Sequence, residues 1–180
     1  MPIVPDTKDW TWVLERPCEE CGFDASTFPP DEVPTLLRDN TGQWQELLTA
    51  TDPELLTRRP SEDRWSALEY ACHVRDVFRI YDYRLGLMLG HDDPSFPNWD
   101  QDASAVEERY NEQDVGTVTR DLLAAGTTLA ASFDSVTGVA WERTGNRSDG
   151  ARFTVDTFAR YLVHDPVHHL VDVQRGLAAL

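Results

Sequence analysis

At 180 residues, 41% hydrophobic and 27% charged, the chain has the length of one domain and enough apolar mass for a core without disulfide staples. Thirty-two acidic against 16 basic residues leave a net charge of -16, which repels nucleic acid and anionic membrane surfaces. No apolar run approaches the roughly 20 residues that span a bilayer, and the start Met1-Pro-Ile-Val-Pro-Asp-Thr-Lys8 has neither the basic cluster nor the apolar block of an export signal, so a cytoplasmic setting is expected.

Residues 1–32 hold five prolines, Trp10, Trp12 and the segment Cys18-Glu-Glu-Cys21-Gly22. They read as an irregular arm, ordered because its tryptophans must be covered, lying on a helical domain over 33–180. Pro34 suits the first turn of a helix, where its missing N–H costs nothing. Leu37, Thr41, Trp44 and Leu48 then recur at helical spacing and predict a first helix over about 34–49, ended by Thr51-Asp-Pro53. Ser66-Ala-Leu-Glu69 has the form of a capping box, with Trp65 placed to staple onto Tyr70. The helix it starts carries Val74, Phe78, Tyr81, Leu85 and Met88 on one stripe and should run to about Leu89, stopped by Gly90 and Asp92-Asp-Pro94. A loop over 91–101, a short helix over 103–112 and a third long helix over about 115–135 follow. Residues 136–152 read as a polar connection and Arg152-Phe-Thr-Val155 as a short extended piece. A last helix over about 155–176 carries Val155, Phe158, Leu162, Leu170 and Val173. Four long helices with loops between them predict an all-α four-helix bundle.

The last helix contains His164-Asp-Pro-Val-His168-His169. Residues four apart lie one above the other, so His164 and His168 can reach one metal ion. A third ligand must come from another element, and His73 is the only other histidine inside a predicted helix. The bland alternative is a structural or surface pair. His169, one step round the helix, competes with His168 for the role. Pro166 removes a backbone bond between the two histidines and loosens the helix there. Carboxylates that could orient the imidazoles are Asp76, Asp165 and Asp172, with Asp76, three residues after His73, the favoured one.

Arg64-Trp-Ser-Ala-Leu-Glu-Tyr-Ala-Cys-His73-Val-Arg-Asp76 and Tyr161-Leu-Val-His-Asp-Pro-Val-His-His-Leu170 resemble the DinB-like superfamily, which includes thiol S-transferases and the N-terminal domain of mycothiol-dependent maleylpyruvate isomerases. The resemblance runs from the first predicted helix through the last. It implies a bundle with one divalent ion, zinc or nickel, on three histidines, here His73, His164 and His168. It further implies a low-molecular-weight thiol such as mycothiol as co-substrate and a small-molecule electrophile, and it is compatible with a homodimer. The metal would strip a thiol of its proton beside the electrophile, or activate water in a hydrolase on the same site. A non-catalytic metal-binding or redox-sensing bundle is the third reading. The acid–base group stays unassigned, and Arg58, Arg152 or Arg160 could grip carboxylates of the thiol cofactor.

Cys18-Glu-Glu-Cys21-Gly22 falls outside that family pattern. It has the shape of half a zinc knuckle without a second cysteine pair, since Cys72 lies beside His73 and reads as core. Three readings stay open: plain cysteines in an ordered arm, a redox pair, or ligands of a second or shared metal site.

Overall fold

The computed structural model describes residues 9–180, so the expectation for residues 1–8 lies outside the described part. Four long helices form the body: α1 (Val33–Ala50), α3 (Ala67–Gly90), α5 (Val115–Asp134) and α6 (Val155–Ala178), with the short α2 (Pro53–Leu56) and α4 (Gln101–Glu107) between them. The apolar positions named from the sequence on α1, α3 and α6 are buried, as are Val118, Leu122, Leu129 and Phe133 of α5, and they join one core that includes Trp44, Phe78 and Phe158. α1 packs on α5 and α6, and so does α3, while the consecutive helices α1 and α3 barely touch. The chain therefore crosses the bundle's diagonal between α1 and α3 and again between α5 and α6.

The start of α3 is built as its sequence dictates. Ser66 Oγ accepts from the Glu69 N–H at 3.2 Å, and Glu69 Oε2 accepts from the Ser66 N–H at 2.8 Å. Trp65 meets Tyr70 edge-on at 5.4 Å between ring centres, closing the staple. This fixed start sets His73 two turns into the helix, fully buried. α6 opens on a second box between Thr154 and Thr157. Inside α6, the carbonyl of Pro166 accepts from Asn40 Nδ2 at 3.1 Å and Trp44 Nε1 at 3.4 Å, so α1 buttresses α6 in the middle of its histidine stretch.

A small sheet was not foreseen. β1 (Ser95–Phe96) runs parallel to β2 (Thr144–Arg147), which runs antiparallel to β3 (Arg152–Thr154). Only the last falls in a segment whose sequence reads as extended; the other two are too short to show period-2 alternation. Gly145 is demanded there, because a Cβ would lie 2.8 Å from both Met88 Cγ and Phe96 Cε1.

The described part of the arm packs on the bundle. Trp10–Leu14 forms a 3-10 turn against α6, with Asp9 accepting from the Thr11 N–H, and Val13, Cys18 and Ala25 are buried. Arg160 ties it down further by donating to the Ser26 carbonyl at 2.7 Å. No described helix is long and apolar enough to cross a membrane.

Candidate metal centre

The three histidines expected to share one ion are divided between two neighbouring groups. His164 and His168 stand with Cys18 and Cys21, whereas His73 stands with Asp165 and His169; within each group one ligand atom per residue lies within 4.8 Å of all the others. The reason is helical geometry. Pairs 164/168 and 165/169 are both four apart, but they point about 100° away from each other. α3 faces the second pair and the arm faces the first.

In the His73 group, Asp165 Oδ2 lies 3.4 Å from His73 Nε2 and 3.6 Å from His169 Nε2. The two imidazoles meet edge-on at 4.9 Å. Trp99 stacks on His73 at 5.3 Å, and Trp65 covers another side at the same distance. His169 Nδ1 faces Asp172 Oδ2 at 3.4 Å and its ring packs on Tyr70 at 4.9 Å. Burial opposes charge on His169, but Asp165 and Asp172 outweigh it and lift its pKa to about 9. Burial likewise opposes charge on Asp165, and His169 and His73 more than offset it, holding the carboxyl far below the usual range. The carboxylate therefore stands ionised between two nitrogen donors. Asp165 Oδ1 and His73 Nδ1 are buried without a hydrogen-bond partner, a costly arrangement unless something else binds there. Two imidazoles and a carboxylate, with sealed and unpaired polar atoms, are a donor set that fits a divalent ion.

In the other group, Cys18 Sγ lies 3.6 Å from His168 Nδ1. The far nitrogen of His168 faces Asp172 at 3.4 Å and Glu20 at 3.7 Å. His164 Nε2 is buried with no hydrogen-bond partner. Trp10 lies against both rings, 5.5 Å from His164 and 5.2 Å from His168. Burial, helped by the neighbouring His168, lowers the His164 pKa to about 4, and burial lowers that of His168 as well, so both favour the neutral, ligating form. Burial pushes the Cys21 thiol up to about 11. The Cys-x-x-Cys turn is closed by Gly22 N–H donating to the Cys18 carbonyl at 2.8 Å and by Cys18 N–H donating to the Phe23 carbonyl at 2.9 Å. Gly22 holds φ +79°, a left-handed conformation that glycine adopts without strain.

His73, Asp165 and His169, together with His164 and His168 of the other group, line one cavity of about 940 Å³, whose walls include Trp10, Tyr81, Trp99, Arg147 and Tyr161; Cys18 and Cys21 lie outside that lining. Of the arginines considered from sequence, Arg152 lines this cavity, Arg58 lies at a separate small cleft, and Arg160 is engaged by Asp156 and the arm. Asp76 is engaged away from His73. Its carboxylate accepts both Arg75 Nε and Nη2 at 2.8 Å and Tyr110 Oη at 2.6 Å, and Arg79 adds a longer contact. Its place beside the imidazoles is taken by Asp172, which reaches both His168 and His169.

A family model described as the DinB superfamily matches residues 36–173, from the first turn of α1 to the last turns of α6. The chain belongs to the DinB superfamily. Its fold is similar to that of YfiT from Bacillus subtilis, described as a probable metal-dependent hydrolase with an unusual four-helix bundle topology. The TM-score is 0.72 at 15% identity, covering 81% of this chain and 86% of the other. No curated protein sequence matches the chain. Among the described residues, one end of the bundle carries two groups of His, Asp and Cys side chains that could hold a metal ion. Cys18 and Cys21 precede the matched residues.

From the sequence, His169 enters only as a substitute for His168, and Asp165 only as a carboxylate that could orient an imidazole. The signal was present, since they repeat the four-residue spacing one position along. What the sequence does not show is which pair α3 faces.

Proposed function

We propose that this DinB-superfamily chain is a metal-dependent enzyme that transfers a low-molecular-weight thiol of the mycothiol kind to a small electrophile, with its divalent ion on His73, Asp165 and His169. The observation that carries the reading is a three-donor group facing a cavity of about 940 Å³. Four protein ligands close a metal site, whereas three leave a position for a reactant. A divalent ion there lowers the pKa of a coordinated thiol, so that thiolate is available at neutral pH.

The chain's own residues prepare that position. Asp165 supplies the negative charge that offsets the ion and keeps the two imidazoles in register. Asp172 accepts from His169 Nδ1, which leaves Nε2 free to ligate. Trp99 and Trp65 fix the plane of His73 and exclude water from its flanks. The cavity is near the upper end of the roughly 300–1,000 Å³ range of small-molecule sites, which favours two reactants bound together. Arg84, Arg147 and Arg152 all line the cavity, and Arg152, paired with Asp93, is the one of the three sequence-named arginines within reach of a carboxylate of the thiol. Zinc and nickel both suit the donor set.

Hydrolysis is the second reading, favoured by the fold shared with YfiT, and it would use the same position to activate water. Monochlorobimane consumption with a panel of thiols, set beside ester and amide hydrolysis without thiol, separates the two. Thiol-dependent conjugation that disappears in Asp165→Asn and His169→Ala supports the transferase. Hydrolysis without thiol supports the alternative. A fully metal-loaded protein active in neither assay sinks both.

A further inference from the structure

We infer that Cys18, Cys21, His164 and His168 form a second, closed metal site, a structural zinc centre that fastens the N-terminal arm to α6. It is distinct from the open site proposed for catalysis, and it uses two residues that precede the family match.

Four observations converge on it. The donors are two sulfurs and two imidazole nitrogens, one of the standard sets for structural zinc. Zn–S bonds of about 2.3 Å and Zn–N bonds of about 2.0 Å give a tetrahedron with edges of roughly 3.3–3.8 Å. Cys18 Sγ and His168 Nδ1, at 3.6 Å, already stand at such an edge, and the remaining pairs lie within 4.8 Å. His164 Nε2 is buried and unpartnered. His168 has its outer nitrogen against Asp172, the arrangement in which a carboxylate fixes the tautomer of a zinc-bound histidine.

Charge agrees with geometry. An entering zinc ion displaces the two thiol protons, and two thiolates neutralise its double charge, so a sealed location is tolerable. Cys18 is only 1% exposed, an awkward place for a thiol that must exchange with redox partners. The centre also has an architectural consequence. Asp9, Trp10, Thr11 and Leu14 line the large cavity, so the ion would hold one of its walls in place.

The test counts metal and identifies its ligands in the full chain. Zinc-loaded wild type should hold two equivalents by elemental analysis, and Cys18→Ser/Cys21→Ser should hold one fewer. Cobalt-substituted wild type should show a thiolate-to-cobalt charge-transfer band in the near ultraviolet, kept in His73→Ala and lost in the double cysteine variant. Should that variant fail to fold, alkylation of wild type answers instead: Cys18 and Cys21 should be protected until a strong chelator is added. Loss of the cobalt band in His73→Ala, alkylation indifferent to chelator, or isolation of Cys18 and Cys21 as a disulfide from metal-replete cells would overturn the inference. A single equivalent removed by Asp165→Asn but not by the cysteine changes overturns it while leaving the proposed function intact. A single equivalent removed only by the cysteine changes does the reverse.

Discussion

Asp76→Asn should lower stability substantially while leaving metal binding at both proposed sites unchanged. Sequence position alone made Asp76 the orienter of His73, but the structure joins it to Arg75 and Tyr110 instead. The Arg75 side chain is 5% exposed and that of Asp76 13%, so the pair is largely screened from water. Breaking a buried ion pair by removing one partner costs about 3–5 kcal/mol, and asparagine keeps one acceptor, which places the cost near the lower end, about 3 kcal/mol. For a domain of this size each kcal/mol moves Tm by roughly 2–4 °C, so a fall of roughly 6–12 °C is expected. The pH dependence has a definite sign. Burial by itself would raise the Asp76 pKa, but hydrogen bonds from Arg75 and Tyr110 prevail and lower it. A depressed carboxylate contributes its full stability above its unfolded pKa of about 4 and loses it as pH falls through the folded value. The Tm gap between wild type and variant should thus be widest near neutrality and close below about pH 4. Thermal melts followed by circular dichroism across that range, with metal content measured in parallel, are the assay. A variant that melts with wild type yet has lost its metal would refute the reasoning and restore Asp76 to the side of His73.

Three further outcomes follow from the same geometry. Asp172→Asn removes the carboxylate facing both His168 and His169 and should weaken metal retention roughly 10–100-fold in chelator competition, since outer-shell partners carry effects of that size. Asn40→Ala takes a donor from the Pro166 carbonyl and should cost about 1–2 kcal/mol in urea unfolding. Asn40→Leu should be nearly neutral, because it removes the buried, unpartnered Asn40 Oδ1 as alanine does but fills the volume that alanine leaves empty. Gly126→Val should destabilise by about 1–3 kcal/mol or more in the same assay, as even a Cβ there collides with Thr41 and lies 3.1 Å from Phe78, and metal content should be unchanged.

The bundle was legible because its signals are local. The capping box at Ser66, the stripe from Val74 to Met88 and the apolar ladder of α6 each need only one helix to declare themselves. The order in which the helices pack, with α1 across from α3, leaves no such mark, because it depends on which faces meet. The metal end was half legible for the same reason. Spacing identifies His164 and His168 as neighbours, and it equally identifies Asp165 and His169. Choosing between the pairs needs the rotation of α6, set in part by Asn40 and Trp44 gripping the Pro166 carbonyl from α1. The cysteines were hardest to place. They lie nearly 150 residues from their histidines, and half a knuckle has no partner until the arm is folded back on α6.

Two offset ladders on one helix also predict communication between the proposed sites. His168 and His169 are adjacent in the chain, their rings meet edge-on at 5.7 Å, and Asp172 lies 3.4 Å from a nitrogen of each. An ion on the cysteine side would fix the His168 tautomer and, through it, the rotamer of Asp172; the same rotamer leaves His169 Nε2 free to ligate. Filling the closed site should therefore tighten the open one. Because binding free energies are coupled reciprocally, filling the open site must tighten the closed one by the same factor. The factor should be modest, on the order of the 10–100-fold that outer-shell partners supply, and it should vanish in Asp172→Asn. Titrating zinc into apo wild type and into Cys18→Ser/Cys21→Ser, then repeating both in the Asp172→Asn background, isolates it. Equal open-site affinities with and without the cysteines would show that the two ladders, though they share a carboxylate, act alone.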